Sequence, residues 1–331
     1  MTRPPLLSIV VIAYDMPRQA MNTLLSLSAA YQRGVDPDDY EVIVVENRSP
    51  RTLDAAAVAA LPGRFRYFLR EEPGVSPAPA INFGFSAARG RCIGLMIDGA
   101  RMVTPGVVHH VLAANRVTPD ALVVVPGYHL GHHEHQLHAT HGYTEYAEQV
   151  MLRDIHWERD GYALFSVACI SGANRYGVFH PFMECNCLFM PDHVFRDIGR
   201  ADERFDLPGG GALNLALYRR VAMHPRTKLF VLPGEGSFHQ LHGGVTTSEI
   251  PEREALLARI REQLQELLGR PFRAPLLEPT FFGTIGLGAM RHLAFSVEQG
   301  LDRYRKCAEK GHDPHADETR KRATQPLRLA S

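Results

Sequence analysis

The chain has 331 residues, enough for one large core or two smaller ones. Hydrophobic residues make up 45% and charged residues 22%, the balance of a soluble globular protein. Lys plus Arg equals Asp plus Glu, at 36 each, so bulk charge gives no case for nucleic acid or an anionic membrane.

The opening "MTRPPLLSIV" lacks the charged head, long apolar middle and small-residue cleavage site of a signal peptide. No window approaches the ~20 apolar residues that span a bilayer. Five cysteines without CxxC spacing read as free thiols. These features set the expectation of a cytoplasmic protein without a transmembrane segment.

In chain order, "LLSIVVIAY" (Leu6 to Tyr14) is a continuous apolar, β-branched run, the mark of a strand buried on both faces. Pro17 then opens a helix. "YEVIVVE" (Tyr40 to Glu46) and "FRYFLR" (Phe65 to Arg70) are the next strands. "PAPAINFGFSAARG" reads as a helix, and "RCIGLMI" as a fourth strand that ends at Asp98. Another helix, "PGVVHHVLAANRV", leads to the strand "ALVVVPG". From Gly127 the pattern loosens into a His- and Tyr-rich stretch. Strands are expected again at Tyr162 to Ile170, Glu184 to Met190 and Thr227 to Gly236. "PEREALLARIREQLQELLG" is an amphipathic helix stopped by Gly269, and a second helix covers Gly286 to Lys310. The tail from His312 is polar and expected to be mobile. Strands alternating with helices mean right-handed βαβ units and a parallel sheet.

Such a sheet binds ligands at the carboxyl ends of its strands. The loop after the first strand, "DMPRQ", lacks the glycines of a dinucleotide fingerprint, and GxxxxGK[ST] and GxSxG are both absent. What remains is a sheet whose strands end in "AYD", "EN" and "D".

Four stretches in order carry a specific resemblance. "LSIVVIAYDMPRQAMNTLLSLSAA" with "YEVIVVENRSP", then "AINFGFSAARG", then "IGRADERFDLPGGG", then "KLFVLPGEGSFHQLHGG" resemble family 2 glycosyltransferases of the GT-A fold, over about Leu7 to Gly244. The resemblance implies an α/β fold with a single Rossmann-like, mostly parallel sheet flanked by helices. A GT-A domain over 1–250 would divide into a nucleotide-sugar half (1–110) and an acceptor half (111–250). A C-terminal helical extension (251–311) and a tail (312–331) would follow. The implied activity moves a sugar from a nucleoside-diphosphate sugar to the hydroxyl of a saccharide or small-molecule acceptor. The competing readings are a GT-A module that binds a sugar nucleotide without transferring it, and a GT-A enzyme of other chemistry such as nucleotidyl transfer.

By the same resemblance, Ala13, Tyr14 and Asp15 stand where the family holds base and ribose. Glu46 would accept hydrogen bonds from them, since a carboxylate offers only acceptors. Arg48 would pair with diphosphate, and Asn82 belongs to the matching helix of the nucleotide-sugar site. The plain alternatives are solvated strand-end acids and a surface arginine. Asp98 stands at the family's Asp-x-Asp, which chelates Mg²⁺ or Mn²⁺; here the motif reads "DGA" and the terminal acid is missing. His239 falls at the family's late His, with His242 three residues on. Either imidazole would complete a metal sphere or hydrogen-bond a phosphate; otherwise both only satisfy a turn.

The family's catalytic base comes from a Glu-Asp pair at a helix start. This chain has Gly211 and Ala212 there, so the substitutes are Glu184 first, then Asp206, with Asp202 and Glu203 upstream. Glu184 is expected to begin an apolar strand whose burial raises its pKa. Six histidines lie between His129 and His141; a metal tract is the sharper reading and a solvated, pH-sensitive loop the expected one. Trp157, Tyr143, Tyr146 and Tyr162 would stack on a sugar or, more commonly, pack in a core. The apolar C-terminal helices are expected to dock on the domain, with pairing to a second copy next.

Overall fold

The computed structural model describes residues 3–72, 74–135, 142–243 and 253–314. In chain order the first half contains β1 (Leu7–Ala13), α1 (Pro17–Ser26), β2 (Tyr40–Asn47), α2 (Ala55–Ala59), β3 (Phe65–Arg70) and α3 (Ala78–Ala87). Then come β4 (Cys92–Met96), β5 (Arg101–Val103), α4 (Val107–Val117), β6 (Ala121–Val124) and β7 (Gly127–Leu130). The second half adds α5 (Glu145–Asp154), β8 (Ala168–Ile170), β9 (Cys187–Pro191), α6 (Asp192–Asp197), α7 (Leu213–Ala222) and β10 (Lys228–Val231). It closes with β11 (Ser237–His239), α8 (Arg253–Leu268), β12 (Thr280–Phe281) and α9 (Leu287–Lys310).

Eight strands form the main sheet in the order β12-β10-β6-β9-β4-β1-β2-β3. All its pairings are parallel except those of β9, which runs antiparallel between β4 and β6. The continuous apolar runs have the expected cause. In β1, Val10 and Ile12 face the layer with α3 and α7, whereas Ile9, Val11 and Ala13 face the layer with α1 and α4. Helix α3 lies so close to β1 that a Cβ at Gly84 would stand 2.4 Å from Val10 Cγ1, which only glycine avoids.

A second sheet of four short strands, β5-β11-β7-β8, sits at the carboxyl ends of the first. It was not visible in the sequence, because runs of three or four residues carry too little period to register. Three expected strands are shorter than the pattern suggested, and β10 covers only Lys228–Val231 of the run from Thr227 to Gly236. Residues 161–167 coil into a 3-10 helix before β8, and β9 begins at Cys187, leaving Glu184 in the preceding loop. No described helix is long and apolar enough to cross a membrane. Of the tail expected from His312, residues 315–331 lie outside the described residues, as does the boundary at 250.

Candidate active site

The small sheet builds the site through its alternation. Met102, Phe238 and Tyr128 are aligned across β5, β11 and β7 and point into an apolar cluster with Phe165 and Trp157. Their neighbours Arg101, His239 and His129, also aligned, therefore share the opposite face. Trp157 and Tyr162 pack in or against this cluster, the commoner of their two expected fates.

Asp98 enters from the turn after β4. Its Oδ1 accepts the N–H of Ala100 at 3.0 Å. Its Oδ2 lies 2.7 Å from His239 Nε2 and 3.5 Å from His242 Nε2, and the two ring nitrogens are 3.1 Å apart. A Cβ at Gly99 would meet the Ile12 carbonyl oxygen at 2.7 Å, and Ala100 is fully buried. The backbone thus leaves no room for a side chain at Gly99 or for more acid at Ala100, and His242 is the second polar side chain that reaches Asp98 Oδ2.

Proton accounting shows what this trio needs. His135 Nε2 is 2.9 Å from the Leu130 carbonyl oxygen, which only accepts, so this nitrogen carries hydrogen. Burial pushes the His135 pKa to about 3, which keeps the ring neutral and makes Nδ1 an acceptor. His239 Nδ1, 3.0 Å away, must then donate to it. Burial also takes His239 down to about 4 against the pull of Asp98, so its Nε2 is a bare lone pair facing the carboxylate. Two acceptors 2.7 Å apart require a proton or a cation between them. Burial works against the charged form of His242 too, but Asp98 outweighs it and raises the pKa. Burial would raise Asp98 as well; the two imidazoles instead hold it well below the usual carboxylate range, a pull that needs hydrogen or positive charge between the ring nitrogens and the carboxylate. Arg101 Nε lies 4.0 Å from the same Oδ2.

The expectation of a solvated histidine loop is corrected at two positions. His129 and His135 are 5% and 1% exposed, and His129 Nδ1 accepts the backbone N–H of His135 at 2.9 Å. The two rings lie tilted against each other and against His239, with centroids 4.5 to 5.2 Å apart. His129, His135 and His239 make a second close trio, which shares His239 with the first. His132 and His133 are exposed, as a solvated loop would have them, and the histidines at 138 and 141 lie outside the described residues.

Glu184 lies in a recess with Arg101, Ser171, Asn174, Asn186 and Ser237. Its carboxylate accepts from Asn214 at the start of α7, beside the Gly211–Ala212 positions. Burial raises its pKa, with Arg101 and the two asparagines pulling the other way. Arg101 is 6% exposed; its Nε and the Ser237 Oγ are buried atoms without a hydrogen-bond partner among the described residues. Asp206 is exposed and accepts from Gln263 on α8 at 2.8 Å, which turns it toward the C-terminal segment.

The nucleotide-side expectations divide. Ala13 ends β1 against the Asp98–Gly99 turn, and Tyr14 is 56% exposed beside it. Asp15 has φ 54°, and Arg51 holds both its carboxylate (3.0 Å) and its carbonyl (2.8 Å). Glu46 differs from expectation. It is fully buried, and its oxygens accept from Leu53 N–H at 3.0 Å and Tyr67 O–H at 2.6 Å, so they are occupied by protein. Asn82 differs too. Its amide bonds the Ala201 backbone at both ends and Glu203, pinning α3 to the 199–204 loop. Arg48 pairs with Glu71 on the surface.

Sequence reasoning missed Arg101, His135, Glu148 and Arg18. The first was available from alternation in "ARMV" against "SFH"; His135 was not, because no period places a loop residue. Glu148, fully buried on α5, accepts the Leu241 N–H at 2.7 Å and lies 3.5 Å from Arg18. Gln240 bonds Gln19 and Asn22, tying the segment that carries His239 and His242 to α1.

Fold and site together define a GT-A type α/β protein with its polar centre at the carboxyl ends of the strands. The chain belongs to glycosyl transferase family 2, whose sequence model matches residues 8–176, just over half of it. No curated protein matches it. Among solved structures it is similar to S. aureus TarS 1–349 in complex with UDP-GlcNAc, at 11% identity, covering 95% of this chain and 77% of that one, with a TM-score of 0.49. The same segment with UDP matches at 11% identity, 96% and 75% coverage and a TM-score of 0.48.

Proposed function

We propose that the chain transfers a sugar from a nucleoside-diphosphate sugar to an acceptor hydroxyl, with Asp98, His239 and His242 holding a divalent cation. The observation that carries this reading is the convergence of one anionic oxygen and two ring nitrogens, with a bare lone pair on His239. The donor set fits the group: an N,N,O trio suits Mn²⁺ better than Mg²⁺, which prefers oxygen alone. When bound, such a cation neutralises charge on the departing diphosphate.

The chain's own residues supply the rest. The turn at Asp98 and the loop after Ala13 lie side by side, so a nucleotide over Tyr14 would reach the trio with its phosphates. Arg101, a buried cation beside Asp98, adds positive charge on the same face. Glu184 takes the acceptor proton; burial makes it more basic, and Asn214 orients it from the start of α7, just after the Gly211 and Ala212 positions where the family carries its acids. The absence of acid at Ala100 and Ala212 favours one alternative, a binding module without turnover.

The test is a thermal-shift panel of UDP, GDP, dTDP and CDP, each with and without Mn²⁺, followed by turnover with the matching sugar nucleotides. One nucleotide is expected to stabilise the chain only with Mn²⁺, and Asp98→Asn to abolish the shift. Glu184→Gln is expected to keep that shift and lose about 10²–10⁴ in turnover. Nucleotide binding unaffected by Asp98→Asn would sink the metal assignment, and binding without turnover would leave the module.

A further inference from the structure

Helix α9 carries two faces, and only one is docked. Ala289, His292 and Ser296 are buried against the domain. His292 Nε2 lies 3.2 Å from the Phe165 carbonyl, Ser296 Oγ accepts from Val178 N–H at 3.3 Å, and Arg303 donates to the Phe179 carbonyl at 2.6 Å.

On another face, Leu287, Met290, Ala294, Val297, Leu301 and Tyr304 repeat at spacings of three and four and all stand in solvent. Leu287 is 89% exposed, and no large hydrophobic side chain of the described residues is more so. Alternating steps of three and four are the seam of a coiled coil, and a monomer rarely leaves such a stripe open.

The charges beside the stripe select an occupant. Arg291, Glu298 and Arg305 follow one flank at seven-residue intervals. Arg291 donates through Nη2 to the Ala168 carbonyl at 2.6 Å and through Nε to His292 Nε2 at 3.2 Å, which holds its guanidinium at the edge of the domain with Nη1 left for a further acceptor. In an antiparallel pairing of two copies, the same flank of each helix meets. One register sets Leu287 against Tyr304, Met290 against Leu301 and Ala294 against Val297 of the second copy, using the whole stripe. It also brings Arg291 beside Glu298 of the second copy, twice by symmetry. Sliding to place Val297 on Leu301 would oppose Arg291 with Arg305 and Glu298 with itself. A shorter overlap pairing Glu298 with Arg305 would leave Leu287 and Met290 in solvent. A parallel pair would set the three charges against Leu293, Gly300 and Cys307, none of which answers them.

We infer that this stripe is the contact between two copies of the chain, α9 packed antiparallel on α9 in the register that joins Arg291 to Glu298. The two-fold axis passes near the Ala294–Val297 layer, and the candidate active site plays no part in the contact.

Sedimentation equilibrium of the full chain over a wide concentration range tests this. A reversible dimer is expected. Leu301→Lys should weaken it roughly 30-fold or more, because each dimer loses two apolar anchors, one on either side of the Ala294–Val297 layer. Because Leu301 is exposed in the single chain, that variant should melt at the same temperature as the isolated wild-type monomer. Glu298→Lys should weaken the dimer, whereas Arg305→Glu should leave it intact. A monomer at every concentration would overturn the inference, as would a dimer indifferent to Leu301→Lys. A dimer weakened by Arg305→Glu would overturn the register. Dimerisation only after removal of residues 315–331 would mean the chain's own tail covers the stripe, and monomers captured by anionic vesicles would mean a membrane does.

Discussion

The ring of His239 meets a carboxylate at one nitrogen and another imidazole at the other, and this is what sets its chemistry. Its Nδ1–H is spent on His135, whose own proton is spent on the Leu130 carbonyl, so the Nε2 lone pair is left facing Asp98 and His242 Nε2. A ligand histidine whose far nitrogen is fixed in this way has its tautomer and orientation decided before metal arrives. His135→Phe removes the acceptor while filling much of the space. It is expected to weaken Mn²⁺ binding about 10–100-fold by calorimetry, with His135→Gln recovering part of the loss. A purely structural role would lower the melting temperature of both variants and leave the affinity of the folded fraction unchanged. Asp98 and His239 were legible in the sequence because each closes an apolar run. His135 was not, and neither was the burial of Glu46, which depends on Tyr67 from the neighbouring strand and on the turn at Leu53.

Helix α5 brings a carboxylate into the interior to hold the segment that carries His239 and His242. Thr144 caps the helix, and Glu148 one turn in takes the Leu241 N–H that β11 leaves unpaired beyond its end. Burial raises its pKa from an ordinary 4.5 to about 7, against the pull of the Leu241 bond and Arg18. The sign of the consequence is set by proton counting. Below pH 4.5 folded and unfolded chains are both protonated at this site. Between 4.5 and about 7 the unfolded chain has lost a proton that the folded chain keeps, so stability falls as pH rises, and above 7 it levels off. A shift of this size corresponds to about 3 kcal/mol at most. Glu148→Gln is expected to flatten that slope between pH 5 and 8 in urea unfolding, and to gain stability over wild type at pH 8. Parallel curves for the two chains would show that Glu148 does not carry the slope. Nothing in the sequence of α5 announced this, since an acid near a helix start has a simpler reason to be there in the dipole.

At the scale of the molecule, the C-terminal segment is part of the fold and not a passenger on it. The sequence made α8 plain through its amphipathic period, but two residues of β12 carry no period at all, and they join the main sheet beside β10. Ile260 and Leu264 of α8 enter the same core as Phe85, Phe195 and Leu217. Gln263 holds Asp206, Arg219 of α7 donates to the Arg273 carbonyl at 2.8 Å, and Phe282 N–H returns to Val231 at 3.0 Å. A chain ending at residue 252 would expose that core face and strip β10 of its outer partner. Two buried branched side chains alone account for about 3–6 kcal/mol, a large part of the ~5–15 kcal/mol that holds a typical domain. Such a chain is expected to lose its cooperative thermal transition in circular dichroism. Leu264→Ala, a milder change in the full chain, should cost about 2–5 kcal/mol in urea unfolding while leaving Mn²⁺ affinity of the folded protein unchanged, because α8 touches none of Asp98, His239 and His242. A truncated chain that melts as sharply as the full one would mean the core closes without α8, and that β10 serves as an edge strand on its own.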